Sequence, residues 1–114
     1  MEKAEKEKLT LEQLQLTEQA LQNLILQKQV FNLELLETNN ALQELLKLKD
    51  NETYKIIGSV MFKADKADLE KELKKKAEIL ELRIKAIENQ EKELREKILK
   101  ARSSILNKLK VEKK

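Results

Sequence analysis

The sequence predicts a mainly α protein: a long antiparallel two-helix coiled coil whose helices are joined by a central β-hairpin. Three observations carry this. Two heptad seams of similar length occupy the two halves of the 114 residues. The only glycine, Gly58, lies near the midpoint inside the β-prone run Tyr54-Lys55-Ile56-Ile57-Gly58-Ser59-Val60-Met61-Phe62-Lys63. Charged residues make up 39% of the chain and aromatics 3%, with no proline, the profile of long helices with a narrow apolar seam. The length suffices for one domain. It is expected as helix over about 10–50, hairpin over about 52–64 and helix over about 66–112.

Residues 1–8 alternate Glu and Lys and have nothing to bury, so they read as frayed helix or a mobile lead-in. Thr10 then offers an N-cap with Gln13 as its capping-box partner, and Leu9 and Leu14 sit at the positions of a hydrophobic staple. The first seam runs Leu14, Leu21, Lys28, Leu35 and Leu42, interleaved with Thr17, Leu24, Phe31, Thr38 and Leu45. Steps of three and four alternate throughout, as a coiled coil requires. Lys47, Lys49 and Asn51 suit a helix C-terminus near residue 50.

In the central run, Gly58-Ser59 fits a two-residue type II′ turn, whose first central residue needs φ > 0. That turn sets Ile57 opposite Val60 and Ile56 opposite Met61. Opposed residues share a face and successive residues alternate faces, so the hairpin is apolar on both faces near its tip. A lone two-stranded ribbon is marginal in water and has open edges. The ribbon is therefore expected to be completed by other chains. A long loop covering the end of the coil is the plainer alternative, although polar turn residues would suit it better.

Asp65 is a good N-cap for the second helix. Its seam reads Leu73, Ala77, Leu80, Ile84, Ile87, Glu91, Leu94, Ile98, Ala101 and Ile105. At 1.5 Å per residue each helix would be about 60–70 Å long. Lys28 and Glu91 each interrupt their own seam and lie at nearly equal distances in sequence from the turn. Folding there brings them within about a helical turn of each other. Such a pair can specify register at some expense in stability; alternatively the two stems snorkel separately to water.

Leu26, Val30, Leu33 and Leu36, with Ile79 and Leu82, form a second apolar stripe off the seam, suited to packing on a neighbouring subunit or to binding. Leu9, Leu11, Leu14 and Leu16 open the first helix, and Ile105, Leu106, Leu109 and Val111 close the second. In an antiparallel hairpin these eight meet at the distal tip. Leu16, Leu106 and Leu109 lie off the seam, so the tip either exposes an apolar interaction surface or carries an extra turn of seam with frayed leucines. Lys108, Lys110, Lys113 and Lys114 make it basic.

Several function classes are disfavoured. With no cysteine or histidine there are no disulfides and no usual ligands for zinc or haem, so no metal and no cofactor is expected. No glycine-rich phosphate loop and no histidine base is present, and Ser103-Ser104 sit mid-helix without a base partner. An enzyme is not expected. The net charge of +3 comes from 24 basic and 21 acidic residues mixed along the helices, which argues against a nucleic-acid stripe. No apolar run approaches the roughly 20 residues needed to span a bilayer, and residues 1–8 have no signal-peptide core. A cytoplasmic location is compatible with the absence of cysteine.

The hairpin Tyr54-Lys55-Ile56-Ile57-Gly58 followed by Met61-Phe62-Lys63 resembles that of a β-type prefoldin subunit. The stretch Leu69-Glu70-Lys71-Glu72-Leu73 through Leu80-Glu81-Leu82-Arg83-Ile84 to Gln90-Glu91 is similar to the family's second helix. The resemblance covers roughly residues 10–110, and departs from it in Phe62 and in the Glu/Lys-rich N-terminus. It implies a hetero-hexamer of two α-type and four β-type subunits, with hairpins closed into intersubunit β-barrels and coiled coils projecting around a cavity. The distal tips would hold unfolded polypeptides and pass them to a group II chaperonin without ATP. Carried onto this chain, Tyr54, Ile56, Ile57, Gly58, Val60, Met61 and Phe62 would build the barrel. Leu9, Leu11, Leu14, Leu16, Ile105, Leu106, Leu109 and Val111 would contact clients, and the basic tail would meet an acidic chaperonin rim. The competing reading is a non-catalytic coiled-coil tether or oligomerisation module, which explains the heptads but not a two-faced apolar hairpin.

Overall fold

The computed structural model describes the backbone at residues 2–49 and 52–112 and side chains at 11–49 and 52–109. The elements follow in the order α1 (Glu2–Lys47), β1 (Thr53–Ile57), β2 (Val60–Ala64) and α2 (Lys66–Glu112). Helix α1 passes through Thr10 rather than starting there, so the expected N-cap is not an end. Glu and Lys are strong helix formers, so the run from Glu2 to Lys8 favours helix by propensity alone. At its other end α1 stops at Lys47, not near 50. The Leu48 amide donates to the Leu45 carbonyl at 3.3 Å, an i→i+3 bond that tightens the last turn. Helix α2 begins directly after Asp65, whose carbonyl accepts the Leu69 amide at 3.0 Å.

Two compact units are distinguished, and α1 and α2 contribute a segment to each: Met1–Lys28 with Lys85–Lys114, and Gln29–Ile84. In the first, Leu14, Thr17, Leu21, Leu24 and Lys28 of α1 are half-buried, as are Leu94, Ala101 and Ile105 of α2, while Ile87, Glu91 and Ile98 are buried. The Thr17 hydroxyl donates to the Gln13 carbonyl at 2.8 Å, so its seam position leaves no orphaned donor. Arg102 Nη2 donates to Glu18 Oε1 at 2.7 Å, linking the two helices. Lys28 Nζ lies 3.7 Å from Glu91 Oε2 and 3.6 Å from Glu88 Oε1. The two seam charges therefore meet, at ion-pair rather than hydrogen-bond range. Glu91 is only 9% exposed, and its Oε1 has no hydrogen-bond partner.

In the second unit, Phe31, Leu35 and Leu42 of α1 and Leu73 of α2 are half-buried, and Thr38, Leu45, Ala77, Leu80 and Ile84 are buried. Among the described residues Leu80 is the most enclosed apolar side chain, 3% exposed. Burying a leucine to this degree contributes about 1.5–3 kcal/mol. The Thr38 hydroxyl donates to the Glu34 carbonyl at 2.7 Å. Arg83 places its guanidinium 5.9 Å from the centre of the Phe31 ring, within cation–π range.

The two strands form an antiparallel sheet with Ile57 opposite Val60, Ile56 opposite Met61, Lys55 opposite Phe62, Tyr54 opposite Lys63 and Thr53 opposite Ala64. Gly58 has φ 63° and no other described residue has positive φ, the II′ pattern. A methyl at Gly58 would meet nothing within 4 Å, so a substitution there is strained by the backbone alone. Gly58→Ala is expected to lower stability by about 1–2 kcal/mol, read by thermal unfolding at fixed protein concentration. An unchanged midpoint would mean the turn relaxes to another type.

Candidate interaction surfaces

Alternation divides the hairpin into two faces. Thr53, Lys55, Ile57, Val60, Phe62 and Ala64 share one face, and Tyr54, Ile56, Met61 and Lys63 share the other. The base of the first face is held by contacts within the unit. Thr53 is buried and its hydroxyl donates to the Ala64 carbonyl at 2.6 Å. Ala64 is half-buried, and the Lys55 ammonium pairs with the Glu72 carboxylate on α2. Lys66 Nζ donates to the Leu48 carbonyl at 2.5 Å, tying the end of α1 to the start of α2.

Everything beyond that base is open. Tyr54, Ile56, Ile57, Val60, Met61 and Phe62 are 51–67% exposed. Six large apolar groups on a ten-residue ribbon form a patch of the kind that marks an interaction surface. Beside β1 runs an open groove of about 730 Å³, with Leu45, Leu48, Leu69 and Leu73 along it and Glu52 and Lys55 at its strand side. Sequence reasoning did not find this groove. Its walls come from residues 41–48, 52–56 and 69–76, and no periodic signal links three such segments.

In the other unit the end of the paired helices is apolar too. Leu11, Leu16, Leu106 and Leu109 are 48%, 66%, 58% and 51% exposed. The Glu18–Arg102 bond brings Leu16 and Leu106 to the same end of that unit. Leu14 and Ile105 are half-buried along the seam instead, because their heptad positions face the opposite helix. The side chains of Leu9 and Val111, also expected at this tip, lie outside the described residues, as do those of Thr10, Lys110, Lys113 and Lys114. The off-seam residues Leu26, Val30, Leu33, Leu36, Ile79 and Leu82 are all exposed. Among the described residues no group of acidic side chains could hold a metal ion, and no helix is long and apolar enough to cross a membrane.

The family described as prefoldin subunit matches residues 8–112. Prefoldin subunit beta of Thermococcus onnurineus (strain NA1) is 46% identical over 87 residues, 75% of each chain. That of Archaeoglobus fulgidus is 40% identical over 97 residues, 83% of each chain. The crystal structure of the prefoldin beta subunit from Thermococcus strain KS-1 superposes with a TM-score of 0.83 at 39% identity, covering 91% of this chain and 92% of that one. With two long helices, a central antiparallel hairpin and a family match over residues 8–112, this chain belongs to the prefoldin family, as a β-type subunit.

Proposed function

We propose that this non-enzymatic chaperone subunit works as one prefoldin-like domain in a cytoplasmic hexamer of two α-type and four β-type subunits. In that complex it holds unfolded polypeptides at its coiled-coil tip and delivers them to a group II chaperonin without ATP. The observation that carries the client-holding reading is the exposure of Leu11, Leu16, Leu106 and Leu109 at one end of a charged helix pair. About half or more of each of those leucines faces water, and that apolar surface gains nothing for the isolated chain. Apolar contacts without directional partners suit many unfolded sequences equally. Six such tips around one cavity raise the effective concentration of weak sites, so a client is retained without any single strong contact.

The assembly half of the reading rests on the hairpin. Tyr54, Ile56, Ile57, Val60, Met61 and Phe62 supply apolar cover, and Gly58 supplies the turn. Closure of several hairpins into a barrel removes the open edges that otherwise template aggregation.

Removing residues 1–16 and 105–114 tests the client site. Native mass of the truncated chain with an α-type subunit should still report a hexamer, because the hairpin is untouched. Suppression of aggregation of a denatured test protein should fall at least tenfold at equal concentration. If holding is unchanged, the site moves to the exposed stripe of Val30, Leu33 and Leu36, and the tip assignment is lost.

A further inference from the structure

We propose that one flank of the first unit selects, among unfolded polypeptides, segments in which apolar residues alternate with aspartate or glutamate. This deepens the client-holding reading above and rests on it. On α2 the residues Lys92, Arg95, Leu99, Arg102, Leu106 and Leu109 follow one another in steps of three and four, so they share one face of the helix. That face is not the seam, which runs through Leu94, Ile98, Ala101 and Ile105. All six side chains are exposed, and Leu99, at 66%, is as open as Leu16.

The bond from Arg102 to Glu18 shows what borders this face on α1. Residues in the same spacing through Glu18 are Leu11, Gln15, Gln22 and Ile25, all apolar groups or neutral amides. Glu18 is therefore the only acidic residue in the two runs, and Arg102 holds its carboxylate. The other acidic residues of this stretch of α2 stand elsewhere. Glu93 and Glu96 fall outside the spacing, and Glu88 and Glu91 face Lys28. Among the described residues Lys92 and Arg95 make no ion pair. Unpaired cations beside exposed leucines, repeated along one face, are complementary to a segment with carboxylates beside apolar side chains. A lysine-rich or arginine-rich segment meets like charge there instead. The amides on the α1 side add hydrogen-bonding groups without charge. Because these groups stand in water, each ion pair changes affinity only by a factor of about two to five. Factors of that size bias the choice of segment without trapping it.

The test uses the full chain assembled with an α-type subunit, and three labelled, unstructured peptides. The peptides share the same leucines and serines and carry aspartate, glutamine or lysine at the intervening positions. By fluorescence anisotropy at low salt, the aspartate peptide should bind about tenfold more tightly than the lysine peptide, with the glutamine peptide between them. At about 1 M salt, where the screening length is roughly 3 Å, the three affinities should converge. Lys92→Glu with Arg95→Glu should reverse the order, and Lys92→Gln with Arg95→Gln should level it, with native mass unchanged in both. Leu99→Gln should weaken all three peptides alike. An order that survives both double variants overturns the proposal. Equal binding of the three peptides by the parent overturns it too. If removal of residues 1–16 and 105–114 then still abolishes holding, the tip reading stands and only the selection falls. Retention of phosphatidylserine vesicles by a parent that ranks the peptides equally would assign the flank to a membrane surface instead. If no peptide binds, the selection falls; if the truncation also leaves holding unchanged, the client-holding reading falls with it.

Discussion

Replacing Ile57 and Phe62 together by aspartate should abolish assembly while leaving helical content unchanged. Both residues lie on one face of the hairpin, since Ile57 pairs with Val60 and Phe62 follows Val60 by two positions on β2. Both are more than half exposed in the single chain, so the substitutions remove only partial intrachain packing at the hairpin and leave the helix seams untouched. In an assembly the same positions are covered. An unpaired carboxylate taken out of water there costs several kcal/mol, and two on one face should weaken association by roughly a thousandfold or more. Native mass with an α-type subunit should show protomers, and far-UV circular dichroism should match the parent. A hexamer-sized complex that survives both aspartates would mean that the hairpin only caps the coil, and the tether reading would then lead.

The second large effect is expected at the Lys28–Glu91 pair. Lys28→Ala should destabilise the folded chain by about 2 kcal/mol, somewhat below the range for breaking a fully buried pair, because the Lys28 side chain keeps 30% exposure. The loss comes from what stays behind. Glu91 is nearly enclosed, its Oε1 already lacks a partner, and its Oε2 would lose the only cation near it among the described residues. For a chain of 114 residues 2 kcal/mol lowers the unfolding midpoint by about 8 °C. Lys28→Leu with Glu91→Leu should reverse the loss and add about 1–4 kcal/mol, since an apolar pair of similar volume avoids burying charge. That gain should come with weaker specification of register, because a leucine seam can slip by a heptad without penalty and a single charged pair cannot. Thermal unfolding of the single and double variants, combined as a double-mutant cycle, measures the coupling directly. A Lys28→Ala midpoint equal to the parent would mean that each charge reaches water by itself and that the pair has no part in register.

The contrast between these two sites shows how far a single sequence reaches. All twenty seam positions read from heptad spacing are buried or half-buried, and the hairpin register follows from Gly58-Ser59 as a two-residue turn. Both are short-range signals: a period of 3.5 residues, and a backbone angle that only glycine adopts freely. The meeting of Lys28 with Glu91 was legible for the same reason, because one turn and two unbroken seams leave a single way to align the helices. The start of α1 was misjudged at Thr10. A capping box marks a possible end, but it cannot stop a helix when the preceding Glu/Lys run propagates it equally well.

Other features were decided only in three dimensions. The Lys55–Glu72 pair, the Lys66 bond to the Leu48 carbonyl and the stacking of Arg83 on Phe31 each join residues 17 or more positions apart. They depend on how far individual long side chains reach between separate segments, which no periodicity encodes. The groove beside β1 is of the same kind. By itself the sequence determined two seams, a type II′ hairpin and an apolar surplus that one chain cannot bury. Tertiary structure decided where that surplus is exposed and which charges are left without partners, because both depend on distances between segments that folding alone brings together.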